Sequence, residues 1–444
     1  MDKIALLSHN SPDAVVAYRA GVPITAQRFL SDAEHLARIL PASAHVLNVC
    51  ADRYHFTVGF AACLMTGRVS LLPSTHTSEV IGQLMRFAPD AFCLTDDRHC
   101  EVGLPKVFFP EEALSAPLRP WTVPHIPASQ IAAILFTSGS TGTPLPHRKT
   151  WGRLVRCVRD GAERLGLADG RSHALIGTVP AQHMYGFELT VLLALAAGHS
   201  ISAERPFYPA DIAAAIAAAP RPRVLVSTPI HLRALVASEI DMPPVDLIVS
   251  ATAPLTRELA REVEAKFHTA LLEIYGSTES GQIALRRTTA SAVWRLWPDV
   301  RLKIDDGQAY AYGGHVGPLT LMQDVIEMVG EEEFLLHGRT ADLVNIAGKR
   351  SSFGYLNAQL NAIPGVIDGV FFLREETTGS TGTARLGAVV VAPSLSIPAL
   401  TEHLRQRIDA VFLPRPLIMV ERLPRNATGK LPQQALQRLA KRHA

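Results

Sequence analysis

The apolar run Ile134-Leu135-Phe136 stops abruptly at Thr137-Ser138-Gly139-Ser140-Thr141-Gly142-Thr143-Pro144. A short apolar run bounded by glycines and hydroxyl residues reads as a buried strand feeding a tight loop. Glycine lets successive backbone N–H groups turn toward one point, and small hydroxyls add donors without crowding it. Such a loop suits a polyphosphate. Taken alone, the composition fits an ordinary surface loop equally well. The Walker pattern GxxxxGK[ST] is absent, because Pro144 stands where that pattern has its second glycine, so a P-loop kinase or GTPase is not expected.

Around this loop the chain alternates helical and extended patterns. Residues 26–40 carry apolar side chains at helical spacing, 44–49 read as a strand, 54–65 as a helix and 68–72 as a strand. After the loop come a helix over 151–165, a strand over 174–179, an alanine-rich helix over 210–219, and strands at 223–227, 246–250 and 271–274. The loop YGSTESG follows at 275–281. This rhythm predicts an α/β fold with layered sheets. Beyond residue 300 the pieces become short and β-like, at 300–304, 308–312 and 334–336.

At 444 residues, two unequal domains are the natural division. Residues 343–444 hold 13 Lys and Arg against 6 Asp and Glu, whereas 1–342 hold 30 against 35. That change in charge beside Gly338-Arg339-Thr340-Ala341-Asp342 predicts a large domain over 1–341 and a small one over 342–444. A net charge of +2 argues against a nucleic-acid partner. The five cysteines form no CxxC pair, so reduced thiols are expected and neither a zinc nor a redox motif. No apolar run approaches the roughly 20 residues of a membrane span. A soluble cytoplasmic protein is predicted.

Four stretches in fixed order then carry a resemblance: TSGSTGTP at 137–144, IYGSTESG at 274–281, LHGRTADLVNIAGKR at 336–350 and RNATGKL at 425–431. Together they resemble the adenylate-forming superfamily, which includes acyl-CoA synthetases, peptide-synthetase adenylation domains and luciferases. The resemblance implies a large N-terminal domain of layered αβ subdomains plus a small β piece, and a smaller mobile α+β C-terminal domain. A carboxylate is a poor acyl donor, so these enzymes let it attack the α-phosphorus of ATP, giving acyl-AMP and pyrophosphate. The charge that gathers there calls for cations placed in advance.

By this resemblance Thr137, Ser138, Gly139, Ser140, Thr141 and Gly142 form the phosphate loop. Glu279 would hold Mg²⁺, Thr278 would contact the α-phosphate, and Tyr275 with Gly276 would line the adenine site. Asp324 would accept the ribose hydroxyls and Arg339 would contact ribose or phosphate. Lys430 would bridge the carboxylate and the α-phosphate. Asp342 resembles the hinge about which the small domain turns. After that turn Gly348, Lys349 and Arg350 would line the tunnel for a phosphopantetheine thiol, borne by a carrier protein or by CoA. The family lysine that follows the phosphate loop is missing; His147, Arg148 or Lys149 is left to supply the charge.

The segment VPAQHMYGF at 179–187 resembles the family's acyl-pocket wall, with His183 near the carboxylate and Tyr185 facing the substrate body. Ser227, Ser250, Ala251 and Thr252 complete the expected pocket. No aspartate stands between Val179 and Phe187 to pair a substrate ammonium, so amino acids are disfavoured. The next residue, Glu188, is left open as a group that reaches in. His-Met-Tyr, the run from Pro144 to Trp151 and the short chain are similar to ligases of bacterial aryl-polyene and xanthomonadin-type pigment pathways. That resemblance implies a small carboxylic acid, an aryl acid such as a hydroxybenzoate, loaded onto an acyl carrier protein. The basic C-terminal region suits an acidic carrier. An acyl-CoA synthetase is the alternative within the class; a non-catalytic nucleotide-binding module or a luciferase-like oxygenase would be of another class.

Overall fold

The computed structural model describes residues 2–73, 75–110, 117–138, 144–339, 343–346, 349–373, 386–426 and 431–443. Two large sheets dominate it. The first runs, in spatial order, Pro144–Thr150, Ile131–Ser138, Val69–Leu72, His45–Asn48, Phe92–Thr95 and Lys106–Phe108. Its pairs are parallel except the edge pair of Pro144–Thr150 with Ile131–Ser138. The second places Leu271–Ser277, Leu247–Ser250, Arg223–Ser227, Ala174–Gly177, Ser200–Ser202 and Val15–Arg19 side by side, all parallel. Antiparallel strands extend both ends, Gly281–Arg286 on one and Val22–Thr25 on the other.

The strands are apolar because both faces are covered. Every residue of Ala174–Gly177 and of Leu247–Ser250 is buried, as parallel strands between helical layers require. Helix Trp151–Arg164 shows the matching stripe, burying Trp151, Leu154, Val155 and Val158. Its Trp151 packs near Phe60, which meets Phe187 edge to face at 4.9 Å. One continuous core therefore joins the two sheets.

Two departures from the sequence reading bear on the site. Residues 144–150, given no element there, form a strand. Pro144 and Pro146 lack N–H groups, and an edge strand tolerates that. The loop expected over 275–281 is shorter: one strand runs to Ser277, the next starts at Gly281, and only three residues turn between them.

From Ile346 onward a separate apolar core includes Leu356, Leu360, Phe371, Leu400 and Leu404. It lies around the strands Asp368–Leu373, Leu386–Val391 and Leu417–Met419. Among the described residues no helix is long and apolar enough to cross a membrane. The cysteines are free thiols, all buried except the half-buried Cys100.

A buried cation fixes the segment that leads to His183. Asp52 caps helix Arg53–Met65 by accepting from the Tyr54 and His55 amides. Arg53, 1 % exposed, donates to Thr190 Oγ1 at 2.8 Å, to the Gly177 carbonyl at 2.8 Å and to the Val179 carbonyl at 3.1 Å. Burial pushes its pKa down to about 10, so it stays charged at neutral pH. Arg53→Met keeps much of the bulk but leaves those acceptors unsatisfied. The expected loss is about 2–4 kcal/mol of unfolding free energy, read from urea denaturation.

Candidate active site

The parallel strands deliver the candidate residues to one edge. Ala174–Gly177, Arg223–Ser227, Leu247–Ser250 and Leu271–Ser277 are consecutive neighbours, and Ser227 pairs in register with Ser250, which pairs with Glu273. Past their C-terminal ends come His183, Thr228, Ala251 and Thr278. Ligands of open α/β sheets bind at such carboxyl ends.

The hairpin that carries Glu279 is set by two glycines and two serines. Gly276 faces Gln282 across it, and a Cβ on Gly276 would lie 2.2 Å from the Gly281 carbonyl oxygen. Gly281 itself has φ +76°, the left-handed turn that glycine adopts freely. Ser280 and Ser277 lock the turn: each backbone N–H donates to the other's hydroxyl, at 3.2 and 3.1 Å. Thr278 and Glu279 stand half-exposed at the tip.

Beside this tip runs the edge strand 144–150. Alternation along it turns His147 and Lys149 to the same face. His147 Nε2 lies 2.8 Å from Thr137 Oγ1 and 3.7 Å from Glu279 Oε1. Lys149 Nζ donates to the Glu279 carbonyl at 2.7 Å. Burial lowers the pKa of both, with Glu279 pulling each the other way. His147 and Lys149, two of the three candidates for the missing lysine's charge, thus both stand beside Glu279. Glu279 offers one accessible carboxylate, and no group of three or more His, Cys, Asp or Glu converges as a metal cage among the described residues. That suits Mg²⁺, which takes one or two carboxylates together with substrate phosphates and water.

A second cluster forms around Tyr275. The Tyr275 hydroxyl donates to Asp324 Oδ2 at 2.7 Å, and Asp324 pairs in register with Arg339 on the neighbouring strand. Tyr275 is braced by Trp294 and Phe334, with ring centroids 5.5 and 5.7 Å away. The structure thus brings together three positions far apart in sequence.

His183 is half-buried and caps the start of the short helix Met184–Gly186. Tyr185 is buried, and its hydroxyl donates to the Val249 carbonyl at 2.9 Å. It lies in the core, and the walls of the cavity described next do not include it. Ser227 shares a hydrogen bond with Thr178, whereas the buried Ser250 hydroxyl has no partner. Ala251 is buried, and Thr252 has φ +79°.

A cavity of about 350 Å³ opens beside Glu279 and His147, with Met184, Lys149 and Glu188 also on its walls. Glu188, which the sequence left open, does reach in. It is 2 % exposed, and burial pushes its carboxyl up to about 7, against the pull of Lys149. Cys157 and His315 line the same space and carried no sequence signal. Gly139, Ser140, Thr141, Gly142, Asp342, Gly348 and Lys430 lie outside the described residues. Ser138, Arg339, Lys349 and Arg350 are placed on strands by their backbones alone.

The model of the AMP-binding enzyme family matches residues 2–325. A 4-coumarate–CoA ligase of Rhodobacter capsulatus is 33 % identical over 279 residues, covering 63 % of this chain and 68 % of that protein. One of Halorhodospira halophila is 32 % identical over 309 residues, covering 66 % and 73 %. Among solved structures, ATP-bound MatB from Rhodopseudomonas palustris superposes with a TM-score of 0.81 at 20 % identity, covering 97 % of each chain. The o-succinylbenzoate CoA synthetase MenE from Bacillus subtilis, with its acyl-adenylate, gives 0.80 at 18 % identity over 96 % of each. At those identities the structural likeness speaks for the fold alone.

The raised Glu188 pKa sets a pH dependence. Below its ordinary value near 4.5 the group is protonated in both folded and unfolded chains, so it adds no pH slope. Between about 4.5 and about 7 the unfolded chain ionises while the folded protein holds its proton, so stability falls as pH rises, by about 3 kcal/mol in total. Glu188→Gln removes this term. Urea unfolding at pH 5 and pH 8 should show the variant gaining on the native chain by about that amount at the higher pH.

Proposed function

The chain belongs to the AMP-binding enzyme family, and we propose that it activates an aryl acid for transfer to the phosphopantetheine thiol of an acyl carrier protein. Activation of a carboxylic acid as acyl-AMP, with transfer to a thiol, is the coarser chemistry of the family. One observation supports this reading most: Thr137, His147, Lys149 and Glu279, from two neighbouring strands and a hairpin turn, meet at one point. An in-line attack on the α-phosphorus of ATP, in the proposed reaction, would gather its negative charge there.

In the proposed reaction a carboxylate oxygen bonds to the α-phosphorus as the bond to the departing pyrophosphate breaks. Bound Mg²⁺ would neutralise charge on the phosphates, and Glu279 is the residue that would hold it. Lys149 supports the backbone of Glu279, and His147 ties Thr137 to the same junction. The Tyr275–Asp324 pair orients a carboxylate that can accept two ribose hydroxyls. His183 stands beside the acid. Lys430 approaches the reacting oxygens in the first half-reaction, and a rotation at Asp342 replaces it with the segment of Gly348, Lys349 and Arg350 in the second. The thiol then attacks the acyl carbon, and AMP leaves.

The aryl acid is supported by the relatives named 4-coumarate–CoA ligase. A carrier protein is supported by the basic residues 343–444. Free CoA as the acceptor is the second reading, favoured by those same relatives' names. Acid-dependent ATP–pyrophosphate exchange should appear with aryl acids and fall about 10²–10³-fold in Lys430→Ala; silence with every aryl and fatty acid tried would refute the assignment. With CoA and holo-carrier protein both present, mass spectrometry should find the acyl group on the carrier. Acyl-CoA alone would establish the second reading instead.

A further inference from the structure

Glu273, Arg286 and Trp294 have no part in the chemistry just described, yet they stand in one row beside Tyr275. Glu273 and Arg286 pair directly across the strands Leu271–Ser277 and Gly281–Arg286. Continuing the register of Leu285 with Arg295 brings Arg286 opposite Trp294, and Trp294 pairs with Phe334 on the next strand. Four neighbouring strands thus give one residue each to a line across one face of the sheet. Tyr275 shares that face, two positions beyond Glu273. It stands opposite Ala284, whose small side chain lets the tyrosine ring lean toward Trp294 and Phe334.

We propose that Arg286 and Trp294 are positioning residues for the nucleotide base, holding the Tyr275 ring in the plane that receives adenine. This rests on the reading that Tyr275 lines the adenine site of an acid-adenylating enzyme.

Each link of the row fixes the next. The Glu273 carboxylate is itself pinned, accepting from the Leu255 amide at 3.0 Å and from Thr288 Oγ1 at 2.8 Å. It holds Arg286, whose Nε donates to Glu273 Oε2 at 2.7 Å. The guanidinium then covers the indole, with Cζ 4.4 Å from the Trp294 ring centroid. Both members of the ion pair are largely shielded from water, which strengthens a cation over an aromatic face. Trp294 Nε1 is buried and has no hydrogen-bond partner among the described residues, so contacts on the ring faces set its orientation. Phe334 supplies the second of these, nearly parallel at 13°. The indole meets Tyr275 at 55°, and Phe334 meets it at 62°.

Tyr275 is therefore held at both ends, by these rings and by the hydrogen bond of its hydroxyl to Asp324. A ring ordered before the nucleotide arrives spares the entropy of ordering it on binding. The residues assigned to the phosphates, Thr137, His147, Lys149 and Glu279, are held by contacts that do not involve this row. Loosening the row should weaken the grip on adenosine and leave the grip on pyrophosphate alone.

The test is calorimetric titration of AMP into the full-length chain and into Arg286→Met, Arg286→Lys, Trp294→Leu and the double variant Arg286→Met with Trp294→Leu. Circular dichroism identifies any variant that fails to fold, and the others decide. The Kd for AMP should rise about tenfold in Arg286→Met and in Trp294→Leu, and stay within about threefold in Arg286→Lys, which keeps a cation over the ring. Because Arg286 acts through Trp294, the double variant should bind AMP no more weakly than Trp294→Leu alone. The KM for pyrophosphate in ATP–pyrophosphate exchange should be little changed throughout. Equal AMP affinity in every folded variant would overturn the proposal and leave adenylation intact. So would additive losses in the double variant, or a KM for pyrophosphate that rises in step. A native chain that binds no AMP would bring down the adenylation reading and this proposal together.

Discussion

Gly276 and Gly281 approach so closely that no side chain fits between them, and the candidate site depends on that contact. It lets the strand from Leu271 reverse within three residues. A wider turn would carry Glu279 away from the edge strand, where His147 and Lys149 meet it. It would also move Tyr275 off Asp324, because the register shift between Tyr275 and Gly276 belongs to the same hairpin. The contacts of Glu279 and of Tyr275 are thus tied to one local backbone constraint. The serine pair inside the turn holds it through reciprocal hydrogen bonds.

The site also shows where a substitute for the missing lysine would stand. A lysine directly after Pro144, at the position of Leu145, would project from the start of the edge strand. Here a cation arrives from farther along the edge strand, anchored on the carbonyl of Glu279, while the histidine between them bonds the hydroxyl of Thr137. Burial weakens both as cations, and the nearby carboxylates Glu279 and Glu188 restore part of the loss. Substrate phosphates would act in the same direction, so the groups are poised to strengthen when ATP is bound.

Much of this was legible in the sequence wherever the signal is local. The buried parallel strands at 223–227 and 247–250 read as apolar runs because both their faces are covered. The glycine and hydroxyl motifs were readable because backbone geometry at a phosphate or a tight turn admits few residues. Strand 144–150 escaped notice since two prolines argue against a strand in general, and only its edge position makes them harmless. Glu188 had a faint signal, a lone acid within an apolar helical run. Cys157 and His315 had none: one sits on the buried stripe of an amphipathic helix and the other in a glycine-rich turn. Their meeting at Gly281 joins segments more than a hundred residues apart.

The central claim is that a carboxylate oxygen bonds directly to the α-phosphorus of ATP. Turnover of an aryl acid labelled with ¹⁸O in its carboxylate, followed by mass spectrometry of the nucleotide, tests it most directly. Attack at the α-phosphorus followed by thiolysis at the acyl carbon leaves one labelled oxygen in AMP. Label found in pyrophosphate or inorganic phosphate, or AMP formed without label, would contradict it.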